Sequence, residues 1–469
     1  MTDQGVLKVT KSLIIWLFFT LLCGAIVFYK QRLLFADSSH LLFRMINDGS
    51  VQIPAFRYGI ILPQLLPLEG SLFLLPLSVL MLLYSFSFSL LYTIVALLLI
   101  DKFERYDLGI LFGFCLCLFV GDTFYAPNND SIQALMWLLL AIAVPEYFVK
   151  KNGSFLLSLL LFFLFFSFAL WCHPLSVIMA VYLFLFFWFN KAYSLWPKNQ
   201  FIFLLIAAVF VLILRIYFNS RINYDSDILA PLFKLRFREI PGLFVNTQAC
   251  LFLKNCFTNY WGFTIVFCCG IYGMIRAKKY AILTLTLFFS IGYFLFVCAT
   301  YSQVTKTFYV ECEYMPFAVF CSLPFAVFFL PLLSPKSIVI FIGLLLFSRI
   351  AYMLMAAPVF IERVALLEGV NEKMRKNNYH KAIVWDDKGF FNARIIMDWA
   401  SPEESMILSA LKDEHPQRTF LIVTKQDLDK IQLPGKDTLL GRFEKRGYLQ
   451  LNNNYFQLDT TDTYHIINP

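Results

Sequence analysis

Long apolar runs alternate with short polar segments over the first 357 residues of the chain. The apolar runs lie at residues 11–30, 71–100, 107–124, 131–149, 154–171, 175–190, 201–218, 259–276, 280–299, 311–333 and 336–357. A helix of about 20 apolar residues crosses a hydrocarbon core of about 30 Å. The pattern therefore predicts an all-α polytopic membrane protein with about eleven transmembrane helices.

The chain changes character after residue 357, where the sequence becomes polar and contains no cysteine. Lys381–Trp385 and Thr419–Val423 are short apolar runs typical of buried strands. Ser401–Glu404 precedes an apolar run and reads as a capping box with proline at the first helical position. We therefore predict two parts, a transmembrane module at 1–357 and a small α/β domain at 358–469.

The basic residues between the runs predict the orientation of the chain. Lys and Arg favour cytoplasmic loops, and they occur after every second predicted helix, for example at Lys102, Lys150 and Lys336. This places the N-terminus inside, and an odd number of crossings places the C-terminal domain outside. The two long loops, 31–70 and 219–258, then lie on the outer side.

Composition agrees with this prediction. Of the 469 residues, 59% are hydrophobic and only 15% are charged, and the net charge is +8. The basic residues are scattered, which gives no indication of a nucleic-acid partner. Cys250 and Cys256 are the one pair of cysteines that a disulfide in a loop can be considered for, and the sequence leaves that pairing open.

Three polar residues in the first outer loop predict one face of a helix. Asp37, His40 and Arg44 are spaced by three and four residues. Asp37 is a candidate general base for an acceptor hydroxyl, and His40 and Arg44 are candidates for acceptor binding. The alternative is that Asp37 only caps an interfacial helix.

Two further polar turns contain candidates. The turn 121–130 contains Asp122 and Asp130 without a basic residue, and we expect Asp122 to be catalytic and Asp130 to bind the acceptor. Residues 128–130 can equally cap the next helix. His173 precedes a proline between two apolar runs. It contacts a phosphate or the acceptor, or it only forms a structural turn.

This arrangement resembles the GT-C superfamily of polytopic glycosyltransferases, which includes protein O-mannosyltransferases, aminoarabinose transferases and oligosaccharyltransferase subunits. The resemblance lies in the first helix, the acidic residue Asp37 early in a long outer loop, the many spans and the outer C-terminal domain. Residues 37–44 loosely echo an acid-x-x-His-x-x-x-Arg pattern of some oligosaccharyltransferases. The chain lacks the Asp-Glu pair of protein mannosyltransferases, and it has Glu311 and Glu313 where many members have a basic residue and tyrosine.

The resemblance implies a reaction with a polyprenyl-phosphate sugar as donor. Besides His173, Arg57, Arg236 and Arg238 are candidates for the donor phosphate, because guanidinium binds two phosphate oxygens at once. Residues 234–238 are predicted to form an interfacial helix, and their cations can alternatively contact only lipid headgroups.

The expected function is transfer of a sugar to a protein, lipid or glycan acceptor on the outer face of a membrane, with membrane lipids as further partners. No cofactor is assigned, and a divalent metal is left open. The expected location is a bacterial inner membrane, with the C-terminal domain in the periplasm, and an endoplasmic reticulum location would have the same topology. The alternatives are a multi-span transporter or flippase, and a polysaccharide polymerase or ligase.

Overall fold

A computed structural model describes residues 3–190, 198–219, 231–232, 234–302, 307–386, 391, 394–395, 397–428, 431 and 433–467. Most of these residues are helical. The α-helices, numbered in chain order, are α1 Asp3–Val27, α2 Tyr29–Leu33, α3 Ala36–Asp48, α4 Leu62–Leu72, α5 Leu77–Leu97, α6 Tyr106–Cys115, α7 Asp130–Lys150, α8 Phe155–Leu170, α9 Ser176–Phe189, α10 Lys198–Asn219, α11 Ile240–Leu243, α12 Thr247–Phe257, α13 Trp261–Arg276, α14 Tyr280–Thr300, α15 Thr307–Pro324, α16 Pro335–Lys376, α17 Ser401–Ala410 and α18 Lys425–Leu428.

Short irregular helices and a few strands complete the described chain. The 3₁₀ turns are Pro54–Phe56, Tyr58–Ile60, Asp122–Tyr125, Phe237–Glu239, Leu330–Leu332 and Tyr448–Gln450, and π turns occur at Leu98–Lys102 and Phe325–Phe329. The strands are β1 Lys381–Asp386, β2 Thr419–Thr424, β3 Thr438–Leu440, β4 Lys445–Gly447 and β5 His465–Ile467.

Six helical segments in the described residues are long and apolar enough to cross a membrane. They are Val9–Val27, Leu77–Lys102, Asp130–Lys150, Tyr280–Thr300, Thr307–Leu332 and Pro335–Lys376. Shorter apolar helices coincide with the other predicted spans, at Tyr106–Cys115, Phe155–Leu170, Ser176–Phe189, Ile202–Arg215 and Trp261–Arg276. The prediction of a helical membrane protein is therefore confirmed in its coarse form.

The last long helix runs across the predicted boundary between the two parts. α16 continues from Pro335 to Lys376 and includes Pro358. Its first half is apolar, and its second half packs against α17 of the C-terminal domain. The change of composition at residue 358 thus marks where one helix leaves its apolar surroundings.

The C-terminal domain is a small α/β unit, as predicted. β1 is the central strand of a parallel sheet with the order β2-β1-β5, and β3 pairs with β4 in a separate antiparallel ribbon. α17 connects β1 to β2 and covers the sheet, as expected for a βαβ connection. Both predicted strands and the predicted helix are confirmed.

The predicted capping box at Ser401–Glu404 is wrong. Ala400 is the N-cap residue of α17 and makes no side-chain cap, while the Ser401 hydroxyl accepts from the backbone N–H of Ile422 at 3.1 Å. The Glu404 carboxylate leaves its own helix and accepts two contacts from the buried Arg363 guanidinium, at 2.8 and 2.7 Å. A buried carboxylate needs such a partner, and the sequence spacing could not reveal one 41 residues away.

Glu404 also joins the two parts of the chain. It accepts from the backbone N–H of Ala36 at 2.7 Å and from the Ser39 hydroxyl at 3.1 Å, both in the first turn of α3. Further along α3, Asp48 accepts from Arg446 at 2.6 Å. We call the end of the helix bundle where α3 contacts the C-terminal domain the domain end.

The fold settles one question that the sequence left open, the pairing of two cysteines, and corrects one prediction, the interfacial helix. Cys250 and Cys256 both lie on α12, where Cys250 is exposed and Cys256 is buried, and both are free. Six residues apart on one helix, they point in different directions and cannot meet the geometry of a disulfide. Residues 237–239 form a single 3₁₀ turn, so no continuous interfacial helix covers 234–238.

Candidate functional site

Asp37 lies at the domain end, in the first turn of α3. Its neighbours Ala36, Ser38 and Ser39 are buried, whereas the Asp37 side chain is accessible. In the part of the chain that the structure describes, no group donates a hydrogen bond to its carboxylate. An accessible acid without a structural partner, on a helix fixed at its first turn by Glu404, is suited to contact a ligand.

The surroundings of Asp37 change its acidity. Although the carboxylate is accessible, protein atoms crowd it on most sides, and this partial burial raises its pKa to about 6. The negative charge of Asp130 raises it further, while Arg57 and His40 lower it. A carboxylate with a pKa near neutrality both ionises at pH 7 and accepts a proton well, as a general base must.

Arg57 and Asp130 form an ion pair beside Asp37. The Arg57 guanidinium donates to the Asp130 carboxylate, and both side chains are largely buried, with 16% and 8% of their surfaces exposed. Asp130 is the first residue of α7, where the side chain of Asn129 caps the helix by accepting from the N–H of Ser131 at 3.1 Å. The cap is therefore confirmed for Asn129, and Asp130 is left to bind Arg57.

Close packing fixes the loop that contains Arg57. A Cβ atom on Gly59 would lie 2.1 Å from the Cys172 sulfur and 2.5 Å from the Phe168 carbonyl oxygen, so only glycine permits this approach. The Trp137 indole N–H donates to the Gly59 carbonyl at 2.9 Å. Because α7 and the end of α8 both hold the loop at this point, Arg57 is positioned without relying on a long flexible segment.

His173 lies in the turn between α8 and α9, within electrostatic range of Arg57 and Arg215. Burial lowers the pKa of His173 well below its ordinary value, and the two cations lower it further, so the ring is neutral at pH 7. Its Nδ1 accepts from the backbone N–H of Leu175 at 3.2 Å. The proton of the neutral ring is therefore on Nε2, which can donate to an anion.

Arg215 and Glu313 extend the cluster. Arg215 was not singled out from the sequence, and Glu313 was given no role there. Arg215 is a buried residue of α10, 2% exposed, and shares the surroundings of His173. Glu313 lies on α15 within electrostatic range of Arg57, and the Tyr301 hydroxyl hydrogen-bonds to it. A charged residue within an apolar run was the signal that could have identified Arg215, because such residues face a polar interior.

Asp122 has different neighbours from those expected. It begins the turn Asp122–Tyr125, and Glu311 fixes this turn by accepting from the N–H groups of Gly121 and Thr123 at 2.9 and 2.8 Å. Burial raises the pKa of Asp122, and Glu311 lies within electrostatic range of it. Neither Asp37 nor Arg57 is among the groups that act on it, so the described structure does not bring the two predicted catalytic acids together.

Of the other predicted residues, His40 and Arg44 face the C-terminal domain more than the site. His40 Nδ1 lies 2.9 Å from a Glu403 carboxylate oxygen, although His40 also acts electrostatically on Asp37. Arg44 pairs with Asp48 at 3.7 Å, one helical turn away. Their spacing along α3 was predicted correctly, but the domain that covers this face could not be foreseen.

Arg236 and Arg238 are exposed. The backbone N–H of Arg236 donates to the carboxylate of Glu239, three residues later, at 3.0 Å. Part of the segment 219–258 that contains them, including residues 220–230, lies outside the described residues.

The two sequence neighbours of Arg57 line an apolar groove. It is lined by Phe56, Tyr58, Ser167, Phe168 and Trp171 and borders about 680 Å³ of empty space, part of which is open to the surroundings. Phe56 and Tyr58 are 50% and 42% exposed. Two aromatic residues thus flank the cation of the site in the sequence and line the groove in space.

The described residues contain no group of three or more His, Cys, Asp or Glu side chains arranged to hold a metal ion. Asp37, Asp130 and Glu313 have Arg57 among them, so the cluster combines acids with cations. Such a mixture suits a proton acceptor next to an anion-binding site.

Comparison with protein-family models, with curated proteins and with solved structures gives no match.

Proposed function

We propose that this protein is an integral-membrane glycosyltransferase of the GT-C type that uses a polyprenyl-phosphate sugar as donor. The observation that carries the proposal is the accessible carboxylate of Asp37, with a pKa of about 6, beside the Arg57–Asp130 pair and the apolar groove. A proton acceptor, an anion-binding cation and a lipid groove are the three elements that such a transfer needs.

In the proposed reaction, Asp37 takes the proton from a hydroxyl group of the acceptor. The hydroxyl oxygen attacks the anomeric carbon of the donor sugar, and the bond between that carbon and the phosphate oxygen breaks. The polyprenyl phosphate leaves with the electron pair and the negative charge. Direct displacement of this kind inverts the configuration of the sugar.

The cations of the cluster would stabilise the leaving phosphate. Arg57, Arg215 and the Nε2–H of His173 come from three different elements, and His173 interacts electrostatically with both arginines. Charged donors that are already in place at the developing charge lower the barrier without reorganisation. Asp130 would hold Arg57 in position. When the phosphate arrives, some of the guanidinium N–H groups would change partner from Asp130 to the phosphate.

The groove beside Arg57 supports a lipid-linked donor. Phe168 and Trp171 come from the end of α8, and Phe56 and Tyr58 come from the loop that carries Arg57. A prenyl chain in this groove places its phosphate at the guanidinium. A free nucleotide sugar would gain nothing from an apolar surface in this position.

The proposal includes the finer topology. The eleven apolar helices would all cross the membrane, with the N-terminus in the cytoplasm and α3, the cluster and the C-terminal domain on the outer side. A bacterial inner membrane suits this arrangement, because polyprenyl-phosphate sugars are used on its outer face. The acceptor, whether protein, lipid or glycan, would approach Asp37 from the C-terminal domain.

The test is sugar transfer from a radiolabelled polyprenyl-phosphate sugar pool to endogenous acceptors, in membranes with and without the protein. Wild type is compared with Asp37→Asn and with Asp122→Asn, which makes the same chemical change outside the cluster. We expect label transfer by wild type and by Asp122→Asn, and none by Asp37→Asn. Equal transfer by all three forms would remove Asp37 from the mechanism, and no transfer by wild type would favour transport.

A further inference from the structure

The accessible side of α3 is one narrow stripe. Its residues that are not buried are Asp37, His40, Arg44, Asn47 and Asp48. Steps of three and four residues place them in line along the helix, and we call these five residues the α3 stripe. The candidate base Asp37 is at one end, so a ligand that lies along the α3 stripe reaches the base.

The C-terminal domain contacts the α3 stripe at His40 and again at Asp48. His40 Nδ1 lies 2.9 Å from a Glu403 carboxylate oxygen, and Arg446 donates to Asp48 at 2.6 Å. Arg44 lies between these contacts with 37% of its side chain exposed, and its guanidinium makes no hydrogen bond with the described residues. Its ion pair with Asp48 is long, at 3.7 Å, so N–H groups of Arg44 remain available to a ligand.

Two aromatic side chains of the C-terminal domain continue outward from His40. The centroid of the Trp399 ring lies 5.3 Å from that of His40, and the Phe443 ring follows at 5.2 Å from Trp399. Trp399 is partly buried, whereas Phe443 is 75% exposed. The Trp399 indole N–H has no hydrogen-bond partner in the described part of the chain and is not buried. A row of rings with a spare donor therefore leads away from the α3 stripe.

One buried guanidinium fixes Trp399 relative to Asp37. Arg363 donates to the carbonyl oxygen of Met397 at 2.8 Å and also to that of Leu34. Met397 lies two residues before Trp399, and Leu34 lies three residues before Asp37. Since both segments are bound to the same side chain, the ring and the carboxylate keep a defined separation.

Phe443 is held by the hairpin of β3 and β4. The turn of this hairpin is closed by the Gly441 N–H, which donates to the Glu444 carbonyl at 2.9 Å. Arg446 of β4 ties the hairpin to the end of α3 through Asp48. The exposure of Phe443 is thus a feature of an anchored turn.

The charges near the two rings favour a neutral ligand. Arg442, next to Phe443, pairs with Asp427 at 3.1 Å, and Arg446 pairs with Asp48. Lys445 neighbours Arg446 in β4, so the two side chains point to opposite sides of the ribbon. An acidic ligand would therefore find the arginines beside the rings already paired.

A sugar ring has the chemistry that this surface can bind. One face of the ring consists of C–H groups, which pack against an aromatic face, while its edge carries hydroxyl groups that accept hydrogen bonds. The Trp399 indole N–H and the Arg44 guanidinium are donors of the required kind. A lipid chain alone would leave both donors without acceptors when it covered them, which is unfavourable.

We infer that a neutral glycan binds along the α3 stripe, with sugar rings against Trp399 and Phe443 and hydroxyl groups at Arg44. The sugar nearest to His40 then presents a hydroxyl group to Asp37. That this glycan is the acceptor rests on the proposed function, whereas its binding does not require transfer.

The test measures binding of the full-length protein to an array of neutral oligosaccharides of glucose, galactose, mannose and N-acetylglucosamine. The array also carries oligosaccharides with uronic acids and peptides without sugar. The detergent has no sugar headgroup, and no donor is present. Phe443→Ala and Trp399→Ala are the test variants. Phe73→Ala is the matched control, because Phe73 is 77% exposed in the turn between α4 and α5.

We expect wild type and Phe73→Ala to bind neutral oligosaccharides equally. Phe443→Ala should weaken this binding by roughly tenfold, because the apolar face of one ring is lost, and Trp399→Ala should weaken it at least as much. Trp399 is partly buried, so its variant is accepted only if it elutes as a folded protein. Phe443 is at an exposed turn, and its variant decides the test in any case.

Three outcomes would overturn the inference: no binding of neutral oligosaccharides, equal binding by Phe443→Ala and wild type, or preference for the acidic oligosaccharides or the peptides. Preference for peptides would identify a protein acceptor instead. Glycan binding that depends on Phe443, without sugar transfer in the radiolabel assay, would refute the proposed function and leave this site. Transfer without glycan binding would refute this site alone.

Discussion

Asp37 and Glu311 are two carboxylates crowded by protein near the domain end, and their surroundings differ in one decisive respect. Glu311 is 2% exposed and accepts from Gly121, from the N–H and hydroxyl of Thr123, and from the Tyr260 hydroxyl at 3.2 Å. Asp37 is accessible and accepts no hydrogen bond from the described residues. Glu311 therefore has its acceptor capacity filled by the fold, and that of Asp37 remains for a ligand.

The difference explains why acidity alone does not identify a functional site. Burial raises the pKa of Asp37 and also that of Asp122, which lies beside Glu311. Only Asp37 combines the raised pKa with accessibility, with the Arg57–Asp130 pair and with a groove. A perturbed carboxylate is a functional candidate when its hydrogen-bonding capacity is also unused.

The largest effect is expected from Asp37→Asn, which should reduce the rate of transfer by about 10²- to 10⁴-fold, the usual contribution of a general base. The variant should melt at the same or a higher temperature at pH 7.5. The folded pKa lies above the unfolded one, so ionised Asp37 reduces stability above pH 6, and asparagine removes this cost. Transfer and thermal unfolding in detergent are measured on the same preparation. A lower melting temperature would indicate that Asp37 is structural.

Glu311→Ala should have the opposite effects on thermal stability and on activity. Removing the carboxylate leaves the buried N–H groups of Gly121 and Thr123 without an acceptor, at a cost of about 1–3 kcal/mol each. We expect a lower yield and a lower melting temperature, while the activity per folded molecule is retained. Thermal unfolding and an active-fraction measurement check this. A folded and fully stable Glu311→Ala protein that cannot transfer sugar would contradict this comparison, because Glu311 would then act in the reaction and not in the fold.

The Arg57–Asp130 pair should control the pH dependence of the rate. Asp37 must be deprotonated to act, so the wild-type rate should rise with pH through about 6 and then level off. Arg57→Gln removes a charge that lowers the pKa of Asp37 and should move this rise up by roughly one pH unit. Asp130→Asn removes a charge that raises the pKa of Asp37 and should move the rise in rate to lower pH.

The pH profiles of the two variants and wild type are measured at saturating donor. Arg57→Gln should also reduce transfer about 10- to 100-fold through the lost contact with phosphate. Shifts of the same sign in both variants would show that neither charge acts on Asp37.

The smallest effect is expected in the groove. Trp171→Ala should raise the KM for a long-chain polyprenyl-phosphate sugar several-fold, because part of the apolar surface for the chain is lost. The kcat should change little, since Trp171 lies away from the reacting atoms. A donor with a short prenyl chain is the control and should show no difference between variant and wild type. An equal rise in KM for both donors would place the lipid elsewhere.

Local pattern predicted most of the elements. Apolar length and basic loops predicted the helices, and β1, β2 and α17 follow from apolar runs and turn residues. The candidate base Asp37 also follows from its position after the first helix. These features depend on neighbouring residues, and helix and strand periodicities record such neighbours directly.

Partners distant in the chain could not be predicted in this way. Glu404 was interpreted as a cap for its own helix, but it binds Arg363 and the first turn of α3. Asp122 was predicted to be catalytic because it ends an apolar run, and Asp130 was predicted to bind the acceptor. The ion pair between Asp130 and Arg57 could not be foreseen. Arg236 and Arg238 were interpreted as phosphate ligands, and they are exposed.

The sequence by itself determined that this chain forms apolar helices followed by a small α/β domain, because hydrophobic length and alternation are local properties. The tertiary structure alone decided which carboxylates use their hydrogen-bonding capacity within the protein and which can still bind a ligand. A hydrogen bond depends on distances between residues that are far apart in the chain. Arg215 and His173 share one environment only through the packing of α8, α9 and α10.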